Sequence, residues 1–388
     1  SNISVSSERV LQEVFGNYIF PDERTINDFM DEIMRVQKIF VEFMYKGRPE
    51  ADGLPYKFPV VTANFKKVDL DDTKELESDF FEYISKKNHK GFINVNTSPR
   101  FAMCCRLNID QFKFNSFGGG GLKLGSFRVV NVNLPRIAME STSEMEFFWK
   151  LEYFLKKAHK LLKIERVILK EKIEQGFLKF FNLGWYNLDD MFFGTFSFHG
   201  LPDAIEYLSH KDITEEKALE LMDEVIDMFL KQANSEEDFH INIEQAPAES
   251  ATNTMTRMNH DVRDFYSNQF VPLEFPISLK DRVEIEGRFS NKLTGGSMCF
   301  LNLDSEMDEE QSLKLHQYVY KNTMINQWCP NYGWSVCENG HSNVGNFDKC
   351  PNCDSMNIKH YERVVGYLVD RDAVNKGREK EMYNRVRY

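Results

Sequence analysis

The sequence predicts an α/β fold, on three observations. Apolar residues at helical spacing alternate along the chain with short apolar runs of strand type, the pattern of sheets covered by helices. The 388 residues suffice for one large domain or two ordinary ones, and 33 phenylalanines supply a large aromatic core. No internal repeat or low-complexity tract breaks the alternation.

The elements follow in order. After a short apolar start and an aromatic stretch, Pro21-Asp22 opens a turn. Thr25 to Tyr45 is a helix, with Phe29, Ile33, Val36, Phe40 and Phe43 at helical spacing and Asp28, Asp31 and Glu32 near its positive end. Pro55 to Val61 reads as a strand, and Asp69 to Lys87 as a second amphipathic helix. Gly91 to Val95 reads as a strand ending in the turn Thr97-Ser98-Pro99. The glycine run Gly118 to Gly121 separates it from the strand Phe127 to Leu134, stopped by Pro135, where alternation puts Asn131 and Asn133 on one face with Val129. Ser141 to Glu171 is a long helical region and Thr195 to Phe198 a short strand. Thr214 to Gln232 is a helix whose Thr-Glu-Glu start suits an N-terminus, and the acidic segment Asp304 to Glu310 precedes a cysteine-rich tail.

A net charge of -12 argues against a nucleic-acid binder working by phosphate neutralisation, which needs clustered Lys and Arg. It leaves a nucleotide substrate open, since that needs only a local pocket. No apolar run approaches the length of a membrane span, and the start has no signal-peptide pattern, so the expectation is a soluble cytoplasmic protein. The seven cysteines include an adjacent pair and four crowded into one short stretch, which is metal-site and reactive-thiol usage rather than a disulfide framework.

That stretch holds Cys329, Cys337, Cys350 and Cys353. Cys350-Pro-Asn-Cys353 is a CxxC knuckle whose two thiolates can bind one tetrahedral ion. Cys337-Glu-Asn-Gly-His341 offers sulfur and nitrogen at usable spacing, so Cys329 and His341 compete as the fourth ligand. Four protein ligands close the coordination sphere and point to structural zinc, stapling a tail too loop-rich for a core of its own.

After the knuckle come Arg363-Val-Val-Gly366-Tyr367-Leu368, then Asn375-Lys-Gly377 and Arg385-Val-Arg387. On pattern alone this is a strand with a glycine bulge, then a basic amphipathic helix. The tail nevertheless resembles the glycyl-radical signature Arg-Val-x-Gly-Tyr with its downstream Asn-x-Gly and Arg-Val elements. A zinc knuckle just upstream resembles the anaerobic ribonucleotide reductases within that superfamily. Val365 departs from the small or sulfur-bearing residue frequent there, though a neighbour's side chain does not hold the spin. Met103-Cys104-Cys105-Arg106-Leu107 is similar to the family's loop carrying the thiyl-radical cysteine, with Cys105 the matching position and Cys104 the runner-up. Asn131-Val-Asn-Leu-Pro135-Arg-Ile resembles a strand end of the family, Ala246-Pro-Ala-Glu249-Ser250 its Pro-Ala-Glu motif, and Phe193-Gly-Thr195 to Gly200-Leu201 a loop near the substrate.

The resemblance implies part of a ten-stranded α/β barrel over residues 1–320, with a cysteine finger loop near 97–125. A zinc knuckle would follow at 321–360, then the glycyl loop and C-terminal helix at 361–388. It implies catalytic Gly366, Cys105 or Cys104, and Glu249 orienting ribose hydroxyls or accepting a proton. It further implies a ribonucleoside triphosphate substrate, a radical S-adenosylmethionine iron–sulfur enzyme that installs the glycyl radical, and a homodimer of the complete enzyme. Because the chain opens at Ser1 without Met and the family carries a preceding portion, the expectation is a fragment or split-gene piece needing its N-terminal part. The alternatives are another glycyl-radical enzyme, a lyase or dehydratase, and a non-enzymatic zinc-ribbon module.

Overall fold

The computed structural model describes residues 2–98, 101–103, 107–109, 125–246, 249–364 and 366–388. The strands in chain order begin with β1 (Asn2–Ser6), β2 (Val60–Asn64), β3 (Ile93–Asn96), β4 (Phe101–Met103) and β5 (Leu107–Ile109). There follow β6 (Gly125–Asn133), β7 (Phe192–His199), β8 (Ile241–Glu244), β9 (Cys299–Leu303) and β10 (Gln327–Tyr332). The last four are β11 (Trp334–Cys337), β12 (Ser342–Val344), β13 (Ile358–Arg363) and β14 (Leu368–Asp370). Two compact units are present. Among the described residues no helix is long and apolar enough to cross a membrane.

The first unit comprises Ser1–Cys105, Leu273–Asn291 and Met298–Tyr388. Its main sheet has the order β1-β2-β3-β10-β9, parallel except where β10 meets β3. One face is apolar. Val61, Ala63, Ile93, Val95, Cys299, Leu301 and Trp328 pack there with Met30, Met34, Val41 and Met44 of helix Met30–Lys46, Phe80, Phe81 and Ile84 of helix Asp79–Lys87, and Val319 and Tyr320 of helix Glu309–Asn322. By the period-2 alternation of strands, the other face carries Thr62, Asn64, Asn94, Asn96, Asn302, Gln327, Cys329 and Asn331, all buried. The amides partly satisfy one another: Asn96 donates to Asn64 at 2.9 Å and Asn331 to Asn302 at 2.7 Å. A buried polar face on a central sheet is expensive unless its groups are paired. The second sheet of the unit is antiparallel, β12-β11-β13-β14.

The second unit, Arg106–Pro272 with Lys292–Ser297, is built on the parallel sheet β6-β7-β8. The 31-residue helix Glu144–Glu174 starts at Ser143, whose hydroxyl accepts from the Glu146 N–H, and buries Phe147, Leu151, Leu155 and Leu162. Helices Leu201–Ser209 and Glu216–Asn234 also belong to this unit, and Phe196, Phe198, Val225 and Phe229 are fully buried.

Several expected elements move. In the first long helix the buried stripe is Met30, Met34, Val41 and Met44; of the expected set Ile33 and Phe40 pack partly buried against the core, whereas Val36 and Phe43 are 64% and 58% exposed. The strand expected at Pro55 to Val61 begins only at Val60, where the proline-rich run that cannot feed a ladder has ended. The helix expected from Asp69 starts at Asp79 behind the Ser78 cap, because Asp69 and Asp72 side chains accept from backbone N–H groups of Val68, Asp71 and Lys74 in a turn. Thr214 does not start its helix either; it donates to Asp212, and the helix begins at Glu216. Pro135 stops β6 by opening a new helix, Leu134–Met139, capped by Asn133.

Candidate functional site

The cysteine-rich knuckle of the first unit is built from two turns. After β11 the Gly340 N–H donates to the Cys337 carbonyl (3.0 Å) and the Cys337 N–H to the His341 carbonyl (3.1 Å). Gly340 has φ +85, and a Cβ there would meet the Glu50 carbonyl oxygen at 2.5 Å, so only glycine fits. In the second turn Cys350 N–H donates to Ser355 and Asp354 N–H returns to Cys350, at 2.8 and 3.0 Å.

These turns bring one ligand atom each of Cys337, His341, Cys350 and Cys353 within 4.8 Å of one another. Cys337 Sγ lies 3.6 Å from His341 Nδ1 and 3.7 Å from Cys353 Sγ, and Cys350 Sγ lies 3.8 Å from His341 Nδ1. Tetrahedral zinc with bonds of ~2.3 Å to sulfur and ~2.0 Å to nitrogen holds its ligands ~3.5–3.8 Å apart, so the four atoms fit that ion. The Asn339 amide donates to Cys353 Sγ at 3.2 Å and brings that thiol down to about 6, toward the thiolate a metal requires.

Cys329, the other candidate ligand, is not in this cluster. It sits in β10 on the amide face, fully buried, its sulfur 3.2 Å from the Ile93 carbonyl and accepting from Arg363 Nη1 at 3.0 Å. Burial pushes its thiol up to about 11 against the pull of the guanidinium.

Gly366 lies at the tip of the β13–β14 hairpin, where Arg363 pairs with Leu368. It is buried with φ +88, a conformation glycine adopts without strain. Its carbonyl accepts from Arg363 Nη2, which also donates to Asn94 Oδ1 at 2.8 Å, while Nη1 donates to the Gly91 carbonyl at 2.7 Å. The Tyr367 ring stands 4.9 Å from Phe58, with the Lys57 ammonium 5.4 Å from its centroid. Behind the hairpin, fully buried Glu362 pairs with Arg371, Arg385 and Arg387 at 2.9–3.0 Å. Arg385 reaches on to Glu381 (2.7 Å), which also holds Arg378 (2.5 Å). Burial would raise the Glu381 carboxyl, but Arg385 and Arg378 outweigh it and bring it to about 2.

Cys104 and Cys105 lie outside the described residues, and Glu249 is the first residue of helix Glu249–Asn259. In the second unit Asn131 meets His199 Nδ1 at 2.5 Å, and Asn133 donates to Asn259, which donates to Tyr266 (3.0 and 2.9 Å). His199, Asn259 and Tyr266 were not anticipated from sequence, nor was the amide face of the first unit. The signal available for that face was asparagine at alternate strand positions, as in Asn94 and Asn96.

The family model described as "Anaerobic ribonucleoside-triphosphate reductase" matches residues 2–388. The chain belongs to this family. Among curated relatives, the anaerobic ribonucleoside-triphosphate reductase of Haemophilus influenzae is 23% identical over 348 residues, covering 78% of this chain and 48% of its own. That of Salmonella typhimurium is 23% identical over 385 residues, covering 87% and 52%. The chain therefore spans about half the length of the curated anaerobic reductases it matches. A solved anaerobic ribonucleotide reductase superposes with a TM-score of 0.84 at 29% identity, covering all of this chain and 64% of that one. The Thermotoga maritima anaerobic ribonucleotide reductase in complex with dATP and CTP gives 0.79 at 28% identity, covering 99% and 64%. The mixed α/β fold is that of the anaerobic reductases.

Proposed function

We propose that this chain carries the radical-storing part of an anaerobic ribonucleoside-triphosphate reductase, with the unpaired electron held on Gly366. The observation that carries the reading is Gly366 itself: buried, at φ +88, its carbonyl held by Arg363, in the hairpin that follows a Cys₃His cluster. A backbone radical there is stabilised between amide nitrogen and carbonyl, and its planar carbon tolerates no bulky Cβ. The CTP of the Thermotoga maritima complex supports a ribonucleoside triphosphate as substrate here.

In this reading an iron–sulfur activating enzyme of the radical S-adenosylmethionine type removes one hydrogen atom from Gly366. Gly366 then takes a hydrogen atom from Cys105, or from Cys104 as the alternative within the pair. The resulting thiyl abstracts the ribose 3′ hydrogen, and the 2′ hydroxyl leaves as water with the 3′ hydroxyl proton. A reductant, formate or a thioredoxin-like dithiol, supplies two electrons, with two protons taken up, before the 3′ hydrogen returns. Sulfur suits the task because its weak S–H bond makes the abstraction reversible. Glu249 orients the ribose hydroxyls or accepts a proton. Cys337, His341, Cys350 and Cys353 would hold zinc, which with its coordination sphere closed supplies structure and no chemistry. The remaining portion of the reductase, homodimer formation and a cytoplasmic location complete the proposal.

Electron paramagnetic resonance on the complete enzyme after anaerobic activation tests it. A doublet, split by the one remaining α-hydrogen of Gly366, is expected, together with cleavage of the chain at Gly366 on exposure to oxygen. Gly366→Ala should remove both. Cys105→Ser should keep the doublet and make no deoxynucleotide. An activated complete enzyme with no radical that stays intact in air would end the assignment.

A further inference from the structure

We infer that Arg363 is the positioning residue of the Gly366 centre and that Cys329, left out of the metal cluster, belongs to the neutral cage that sets it. The inference rests on the glycyl reading above and deepens it.

Arg363 is 4% exposed, and its two terminal nitrogens reach four acceptors: the Gly91 carbonyl, Asn94 Oδ1, Cys329 Sγ and the Gly366 carbonyl. None carries a formal charge, and among the described residues no carboxylate pairs with this guanidinium. Its neighbours are treated otherwise. Arg371, Arg385 and Arg387 share Glu362, and Arg378 has Glu381. A buried cation without a counter-charge is costly, and one acid placed on the amide face would remove the cost. Cys329 stands where that acid would be, in contact with Nη1, and offers a weak, neutral acceptor instead. The Gly366 carbonyl oxygen therefore faces a guanidinium whose charge no acceptor among the four neutralises.

That placement matters for a radical on the adjoining carbon. The spin is shared between an electron-donating nitrogen and an electron-withdrawing carbonyl. A cation on the carbonyl oxygen strengthens the withdrawing half and draws spin off the carbon. The fork also fixes the plane of the Gly366 peptide, so that the α-hydrogen leaves and returns in one direction. A lysine could supply the charge but not four contacts in one plane.

The test uses the complete enzyme, activated anaerobically, as wild type and as Arg363→Gln, Arg363→Lys and Cys329→Ala. Spin resonance should show a changed α-hydrogen splitting in Arg363→Gln and a radical yield or lifetime reduced by at least about tenfold. Arg363→Lys should recover part of the yield, and Cys329→Ala, which keeps the cation, should shift the splitting less than Arg363→Gln, with zinc content unchanged. Hydrogen exchange, read by mass spectrometry without activation, should show faster exchange in Arg363→Gln confined to the peptide around 363–370. Wild-type splitting and lifetime in Arg363→Gln would overturn the inference, as would unaltered exchange at that peptide. Faster exchange spread over β1 to β3 and β9 to β10 would also overturn it, by making Arg363 a structural residue only. A wild type with no doublet would defeat the radical reading itself, while the exchange result would still decide whether Arg363 holds the loop.

Discussion

At the scale of single residues, neighbouring cysteines have different jobs here, and substitution separates them. Cys337, Cys350 and Cys353 point with His341 into one tetrahedron, whereas the Cys329 sulfur faces backbone carbonyls and a guanidinium. One zinc per chain is expected by elemental analysis, falling to near zero in Cys350→Ser and Cys353→Ser. Cys329→Ser should keep the full complement, and loss of zinc there would mean that the cluster is wrongly assigned. Gly366→Ala should also destabilise the unactivated protein by about 1–2 kcal/mol through its positive φ alone, measurable by urea unfolding. That cost is separate from the loss of radical. The choice between Cys329 and His341 was not legible in the sequence, since both spacings are workable. In the structure the Gly340 turn bends the chain so that four residues suffice to bring His341 beside Cys337.

At the scale of elements, the C-terminal helix Lys376–Asn384 is attached by buried charge beside the single fully buried apolar side chain of Met382. Of its buried residues, Arg378 and Glu381 are ionic, and Arg385 just beyond it joins Glu381 to Glu362. Removing one member of such a lattice leaves uncompensated charge, so Arg385→Met should cost about 3–5 kcal/mol in thermal or urea unfolding. The acid response has a defined sign. With Glu381 held near 2, below its unfolded value, the stabilisation is full above the ordinary glutamate range of about 4.3 and is lost as pH falls toward 2. Glu381→Gln should flatten that part of the pH–stability profile, and an unchanged slope between pH 4.5 and 2 would exclude the residue. Elements were legible where periodicity was long: the helices that became Met30–Lys46, Glu144–Glu174 and Glu216–Asn234 were all expected. Which face they bury was less so. Ile33 and Phe40 of the expected stripe flank Met30, Met34, Val41 and Met44 against the core, and only the sheet they meet decides that Val36 and Phe43 stay outside. Buried strands such as β9 and β10 gave little sequence signal, because amides and apolar residues alternate on a strand with no solvent face.

At the scale of the whole molecule, the first unit joins the two ends of the sequence. Its central sheet pairs β3 with β10, so residues near 95 and near 328 are hydrogen-bonded neighbours. The knuckle rests on the N-terminal region too: Ser342 donates to the Ala51 carbonyl at 2.5 Å, and Ala51 and Leu54 pack in one cluster with Tyr332, Trp334 and Leu368. Two of the four acceptors of Arg363, at Gly91 and Asn94, also come from there. An isolated peptide of residues 325–388 therefore meets two different fates in its two parts. Its Cys₃His cluster is local, and structural zinc contributes about 10–16 kcal/mol in small finger peptides at neutral pH, so the knuckle should bind one zinc and resist proteolysis. The Gly366 hairpin lacks its N-terminal acceptors and the packing of Ala51 and Leu54 against Trp334 and Leu368, with burial of a leucine side chain alone contributing about 1.5–3 kcal/mol. It should exchange its amides at close to free-chain rates with zinc bound. Zinc titration followed by exchange mass spectrometry reads both parts in one sample. Protection around Gly366 in the peptide equal to that in the whole chain would show that the hairpin needs nothing from the N-terminal strands, and the integration of the two chain ends would then have no part in holding it.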